Sequence, residues 1–341
     1  MKPDFDNLMK VLRCEVPPGP VLFEFFMNQR LYNRLADPEL VAQGQEYEWG
    51  TVNPVVISAF ANAGYDYATC YGSDMRFQLD DIPMEATISL NAGDLIQDWD
   101  TFNKYPWPEA DSFDYSRLSK AQDLLPDGMK LVVYGPGGVL ENAISLVGFD
   151  RLCIMLVDEP DLAKAVFDEI GRRLERYYEI CAPYDTVGAL IVNDDWGFKT
   201  QTMLSPADMR KYIFPWHKKT VETIHAAGRP AILHSCGCLA KVMDDIIDEM
   251  KYDAKHSFED TIEPVEDAYE RWGDRIAILG GIDVDFICRS SSGQIKTRCL
   301  AMLERTAGRG GYALGTGNSV PEYVPDENFL ALVETVNEMR S

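Results

Sequence analysis

Ala231-Ile232-Leu233-His234-Ser235-Cys236-Gly237-Cys238 is the stretch on which the reading of this chain turns. It follows Gly228-Arg229-Pro230, and its short apolar run reads as a buried strand behind a turn. The run ends with an imidazole and a thiol two residues apart. Residues i and i+2 of a strand point to the same face, so His234 and Cys236 project together from its carboxyl end. One nitrogen and one sulfur so placed are half of a zinc site. A buried cysteine beside a packed core histidine is the alternative, and the stretch alone leaves both open.

Working outward, length and composition bound the answer. The chain has 341 residues, 46% hydrophobic and 26% charged, which suits a soluble globular protein. That length accommodates two average domains or one large α/β barrel. The formal net charge of −23 gives a field that repels phosphate backbones and anionic membrane surfaces, so neither nucleic acid nor membrane is expected as a partner. The eight cysteines follow no disulfide framework, the first residues carry no signal-peptide pattern, and no apolar run has the length of a membrane span. A reducing cytoplasm is the expected location.

Strand and helix patterns alternate along the chain. An amphipathic helix over residues 4–13 precedes a first strand at 21–26 that carries Glu24. Further strands start near 65, 130, 189, 231, 253, 276 and 311, and most are followed by a helical pattern, including 54–64, 161–181, 239–250, 263–272, 292–306 and 326–340. Pro215 is expected to kink or split the helix that starts at Ser205-Pro206. Eight βα units over this length predict an α/β fold of the (β/α)8 TIM barrel type, a single domain over 1–341. An N-terminal helical extension precedes it, and an insertion lies between strands 2 and 3, with an extra strand at 86–90. The aromatic residues of that insertion, among them Trp99, Tyr105 and Trp107, serve either as a lid or as packing against outer helices.

In such barrels chemistry sits at the carboxyl ends of the strands. There the sequence places Glu24, Tyr71, Asp74, Asp194, Asp195, His234, Cys236, Cys238, His256, Glu259, Asp283 and Asn318. Two of the four histidines, His234 and His256, occupy neighbouring strand ends, while His217 and His225 fall in a helix and read as packing or surface residues. Adjacent acids such as Asp194 and Asp195 at a buried strand end are costly unless used or paired. Gly135-Pro136-Gly137-Gly138 lacks the spacing and the Lys-Ser/Thr of a phosphate loop and reads as a tight turn.

Several of these pieces together resemble the uroporphyrinogen decarboxylase superfamily, and most closely its zinc- and corrinoid-linked methyltransferase branch. They are Asn7-Leu8-Met9-Lys10-Val11-Leu12-Arg13, Asn193-Asp194-Asp195-Trp196-Gly197, Leu204-Ser205-Pro206, His234-Ser235-Cys236-Gly237, Gly280-Gly281-Ile282-Asp283, and Pro325 followed by Glu327-Asn328. The resemblance implies the same barrel. It also implies a zinc ion held by a His, a Cys and a later Cys, which activates a thiol for methyl exchange with a corrinoid, free or on a partner protein. His234 and Cys236 match the first two ligands. The position of the third carries Asn318, and an amide is a poor zinc ligand. Cys238, His256, Glu259 and Asp195 are candidates to replace it, and His256, on the neighbouring strand, is the choice. Asp74, Asp194, Asp195 and Asp283 are the expected catalytic acids. Glu24, Tyr71 and Asn318 are the expected contacts to a small-molecule substrate.

The decarboxylase branch is the alternative. It resembles this chain at Ser73-Asp74, but its arginine-rich run after the first strand is replaced by Met27-Asn28-Gln29-Arg30-Leu31-Tyr32-Asn33-Arg34. A barrel that binds a ligand without turning it over is the third reading, motivated by Asn318.

Overall fold

The computed structural model describes residues 2–43, 52–77 and 90–340. Seven strands form one sheet: β1 (Tyr67–Tyr71), β2 (Lys130–Tyr134), β3 (Val187–Asn193), β4 (Ala231–His234), β5 (Ala254–His256), β6 (Ala277–Leu279) and β7 (Tyr312–Ala313). They lie in sequence order, and each pairs in parallel with the next. Parallel neighbours need a crossover between them, and the helical patterns of the sequence supply it. The strands are buried almost throughout, as expected of a parallel sheet covered on both faces.

The expected strand at 21–26 is a correction. Only Leu22 forms a bridge there, to Leu314. Phe23 N–H donates to Leu314 O at 2.8 Å, and Leu314 N–H donates to Val21 O at 2.7 Å. Beyond Phe23, side chains of β1 replace the ladder. The Tyr67 hydroxyl lies 2.7 Å from both the N–H and the carbonyl of Glu24, and the Thr69 hydroxyl donates to Phe25 O at 2.7 Å. This segment therefore contacts the strands at both edges of the sheet, which curls to meet it.

The helices that matter below are α1 (Phe5–Leu12), α2 (Pro54–Ala63), α3 (Val139–Val147), α4 (Pro160–Cys181), α5 (Phe214–Ala226), α6 (Val265–Trp272), α7 (Val284–Arg289), α8 (Ser292–Thr306) and α9 (Asp326–Arg340). Their ends follow local chemistry. Asn53 caps α2, whose far end turns at Gly64 with φ +94°, a conformation that glycine adopts without a Cβ penalty. Ser291 and Gln294 form a capping box on α8. Pro215 sits directly after a wide π-type stretch at Met209–Ile213, and the helical run from Pro206 to Ala226 is not split there but widens ahead of the proline, which lacks an N–H to donate. The expected helix over 239–250 is shorter, and its named helical stretch is a wide turn at Asp245–Glu249.

The expected extra strand at 86–90 lies, apart from Leu90, outside the described residues. The aromatic stretch packs outward. Arg173 of α4, 3% exposed, stacks on Trp107 at 5.0 Å, donates to Pro108 O at 2.9 Å and pairs with Glu109 at 2.6 Å. Trp99 remains 47% exposed. No helix among the described residues is long and apolar enough to cross a membrane.

Candidate metal centre

The parallel register aligns Asn193 with His234 and His234 with His256. It brings the carboxyl ends of β3, β4 and β5 level, and the inward side chains there meet. The His234 ring packs on Phe25 at 4.7 Å and on His256 at 4.9 Å, and His256 packs on Phe23 at 5.2 Å. Both rings are buried. Burial favours the neutral imidazole: it pulls His234 down to about 3, with Lys255 adding to the effect, and pulls His256 well below the usual range.

The chain leaves β4 at His234, and Cys236 turns back beside it, its sulfur 3.8 Å from His234 Nε2. The turn is held by two backbone contacts. Cys236 N–H donates to Asp195 Oδ1 at 2.8 Å, and Ser235 N–H donates to His256 O at 2.9 Å. Gly237 has φ +88°, and a Cβ there would stand 2.1 Å from Gly197 O, so the loop after β4 lies on the loop after β3 only because it has no side chain. One ligand atom each from Asp195, His234 and Cys236 falls within 4.8 Å of the other two.

This donor set fits zinc. It offers one imidazole nitrogen, one sulfur and one carboxylate oxygen, and three protein ligands leave a fourth position for a substrate or water. The sulfur is supported for a charged state: Asn318 Nδ2 donates to it at 3.3 Å, and Ser257 Oγ lies 3.5 Å away. With no metal, burial and the neighbouring Asp195 carboxylate push the Cys236 thiol upward, so it is held protonated. Burial, then the Asp194 charge, also raise the Asp195 carboxyl against the lowering bond from Cys236 N–H.

His256 is not the third member of this cluster. Its Nδ1 lies 2.8 Å from His234 Nδ1 and its Nε2 lies 3.2 Å from Thr316 O, so both ring nitrogens are engaged away from Cys236. The third donor within reach of His234 and Cys236 is Asp195, one of the alternatives named from the sequence. Cys238 turns instead toward a cavity of about 180 Å³ between the loops after β4 and β5, lined also by Lys255, Ser257, Phe258 and Glu259.

The other expected acids are held in the scaffold. Asp194 is 1% exposed. Its carboxylate accepts Leu140 N–H at 3.0 Å, Glu141 N–H at 2.9 Å and His217 Nε2 at 2.9 Å, clamping the N-terminus of α3 to the end of β3. Asp283 caps α7 through Phe286 N–H at 2.8 Å and ties the loop after β5 through Asp260 N–H at 2.9 Å. Asp74 has a side chain 65% exposed and pairs with Arg117 at 2.6 Å. None of these three carboxylates is in the metal cluster. Tyr71 ends β1 and packs against Tyr134 with ring centroids 4.2 Å apart and the rings tilted by 48°. Glu24 is fully buried, and its carboxyl accepts Thr316 N–H at 3.2 Å and the Thr316 hydroxyl. Burial raises it to about 8 against those bonds, so Glu24 fixes the loop after β7 as a largely neutral acid.

Sequence reasoning missed four contributors. His217, buried between Asp194 and Tyr252, reads as a helix residue with no partner in view. Ser257 and Thr316 carry no pattern of their own. Lys255 did leave a signal, a lysine inside the apolar run of β5. Its amine is buried, donates to Ser257 O at 2.6 Å, lies over Phe258 at 4.1 Å, and is lowered by burial to about 8.

A curled parallel α/β sheet with a nitrogen, sulfur and oxygen cluster at its strand ends defines the class of protein. Residues 115–339, more than half of the chain, match the family Uroporphyrinogen decarboxylase (URO-D), and the chain belongs to that family. It is 28% identical over 192 residues to a uroporphyrinogen decarboxylase of Gloeobacter violaceus, covering 54% of this chain and 51% of that one. It is 26% identical over 207 residues to one of Anaeromyxobacter sp. (strain Fw109-5), covering 60% and 57%. The chain thus spans about half the length of the curated relatives it matches. In three dimensions it is similar to a methyltransferase from Methanosarcina mazei, with a TM-score of 0.68 at 16% identity over 98% of both chains, a likeness of fold.

Proposed function

We propose that this protein is a zinc-dependent methyltransferase of the uroporphyrinogen decarboxylase family, acting between a corrinoid and a small thiol or methylated substrate. The observation that carries the reading is the convergence of His234, Cys236 and Asp195 within 4.8 Å, at the strand ends where α/β enzymes keep their chemistry. We read the fold as a (β/α)8 barrel in which residues 21–25 take the place of the eighth stave between β7 and β1, supported by their bonds to Leu314, Tyr67 and Thr69.

Zinc, when bound, supplies a lowered pKa to a coordinated thiol, making it a nucleophile at neutral pH. His234 Nε2, Cys236 Sγ and an Asp195 oxygen would hold it. Asn318 donates toward the sulfur, and the Ser257 hydroxyl beside it could do so to a thiolate, which would favour that charged form. Phe25 covers one side of the His234 ring, which keeps water from that side and fixes its plane. The cavity between the loops after β4 and β5, lined by Cys238, Lys255 and Ser257, is a candidate place for a small substrate. The corrinoid of this reading would be free or carried by a partner protein.

Decarboxylation of a porphyrinogen is the second reading, favoured by the curated relatives. Against it, Asp74 faces solvent in an ion pair, and the arginines nearest the first segment are already bound. Arg30 pairs with Asp326 at 2.6 Å and Arg34 with Glu327 at 2.7 Å. One set of assays separates the readings. Zinc-dependent methyl transfer from methylcobalamin to a panel of thiols supports the first. Carbon dioxide release from uroporphyrinogen with no methyl transfer replaces it with the second, and tight ligand binding with neither turnover leaves a binding protein.

A further inference from the structure

His256 stands behind His234 in a chain of contacts that the proposed chemistry has not used. Thr316 O lies 3.2 Å from His256 Nε2, and His256 Nδ1 lies 2.8 Å from His234 Nδ1. A carbonyl oxygen only accepts, so His256 Nε2 carries hydrogen. Two ring nitrogens 2.8 Å apart share one hydrogen, because two would clash and none would set lone pair against lone pair. Among the described residues neither ring forms an ion pair with a carboxylate, and both are buried, so neither holds a second proton. His256 Nδ1 is then bare, the shared hydrogen belongs to His234 Nδ1, and His234 Nε2 is left with its lone pair toward Cys236.

We infer that His256 is a positioning residue that fixes the tautomer of His234, so that Nε2 is the nitrogen available to a metal. The opposite tautomer would place a hydrogen on Nε2 and block ligation. The relay is anchored at its far end. Thr316 O also accepts Gly281 N–H at 2.9 Å, and Thr316 N–H is held by Glu24 at 3.2 Å, so the carbonyl cannot turn away. Gly280 makes room for the contact: it has φ +64°, and a Cβ there would lie 2.2 Å from Thr316 O and 3.1 Å from His256 Nε2. Partners that orient a metal-binding histidine are worth about 10–100-fold in metal affinity.

The purpose of the relay rests on the metal reading, whereas its geometry does not, and two measurements keep them apart. In the metal-free full-length protein with ¹⁵N-labelled histidine, long-range ¹H–¹⁵N correlations should show His234 protonated at Nδ1 and bare at Nε2, and His256 protonated at Nε2 and bare at Nδ1. Zinc affinity by chelator competition should fall about 10–100-fold in His256→Phe. It should stay within a few-fold of wild type in His256→Asn, whose Oδ1 replaces the accepting Nδ1. An Nε2–H form of His234, or equal zinc affinity for His256→Phe and wild type, overturns the inference. If the phenylalanine variant does not fold, the wild-type spectrum still decides. Wild-type protein with the expected tautomers and no zinc affinity would overturn the metal reading and leave the relay standing.

Discussion

Asp194 separates scaffold from chemistry, and replacing it tests that division. In Asp194→Ala, the N–H groups of Leu140 and Glu141 lose the acceptor they now reach at 3.0 and 2.9 Å, and His217 loses its partner at 2.9 Å. These groups lie where Asp194 is 1% exposed, so water does not simply replace it. Removing a helix-terminal acceptor costs about 1 kcal/mol. Each buried donor left without a partner adds about 1–3 kcal/mol. Because the three contacts share one carboxylate, their losses overlap, and a total of about 3–5 kcal/mol is expected. That is a large part of a typical folding free energy of about 5–15 kcal/mol.

Asp194→Asn should cost less, about 1–2 kcal/mol, since its amide oxygen still accepts from α3 and the His217 ring can offer a lone pair to the amide hydrogens. Urea unfolding of wild type and both variants at neutral pH supplies the assay, with midpoints compared at a common slope. Zinc content measured on the folded variants should be close to wild type. The reasoning is refuted if Asp194→Ala unfolds within about 0.5 kcal/mol of wild type while turnover collapses, because the carboxylate would then act on substrate and not on the scaffold.

Three further outcomes follow from other contacts. Cys236→Ser should lose bound zinc, whereas Cys238→Ser, whose residue lines the neighbouring cavity, should keep it; metal analysis of protein purified without added zinc decides. Burial raises Glu24 to about 8, well above the ordinary glutamate value near 4.5, so the native state holds a proton that the unfolded chain has released; stability therefore falls as pH rises from about 4.5 to about 8, by up to about 1.4 kcal/mol per unit. Glu24→Gln keeps an acceptor for Thr316 and removes the titration, so its stability relative to wild type should climb by a few kcal/mol between pH 5 and 8; parallel pH profiles for the two would reject the assignment. Gly280→Ala should cost about 1–3 kcal/mol and weaken zinc binding, because its Cβ would be driven into Thr316 O; an unchanged unfolding midpoint would count against the close approach.

The legible part of this molecule is the part set by local periodicity. The spacing of two residues rightly pairs the His234 and Cys236 side chains, 3.8 Å apart, although a turn beyond the end of β4 and not the strand itself brings the sulfur back, and helix patterns give α8 and α9 their observed ends. What was illegible depends on how distant elements meet. The apolar run at 21–26 has the composition of a strand, yet the hydroxyls of Tyr67 and Thr69 take the backbone groups that a ladder would use. Asp194 looks like a catalytic acid until α3, which precedes it by 54 positions, presents its first N–H groups. His256 shows the limit most sharply. The strand pattern predicts that it neighbours His234, but only the register, His234 opposite His256, turns neighbouring rings nitrogen to nitrogen. A one-residue slip of β5 would point that ring to the other face of the sheet. Whether that ring meets His234 at all is thus decided by register, and register is fixed by packing across the sheet, which no window of local sequence contains.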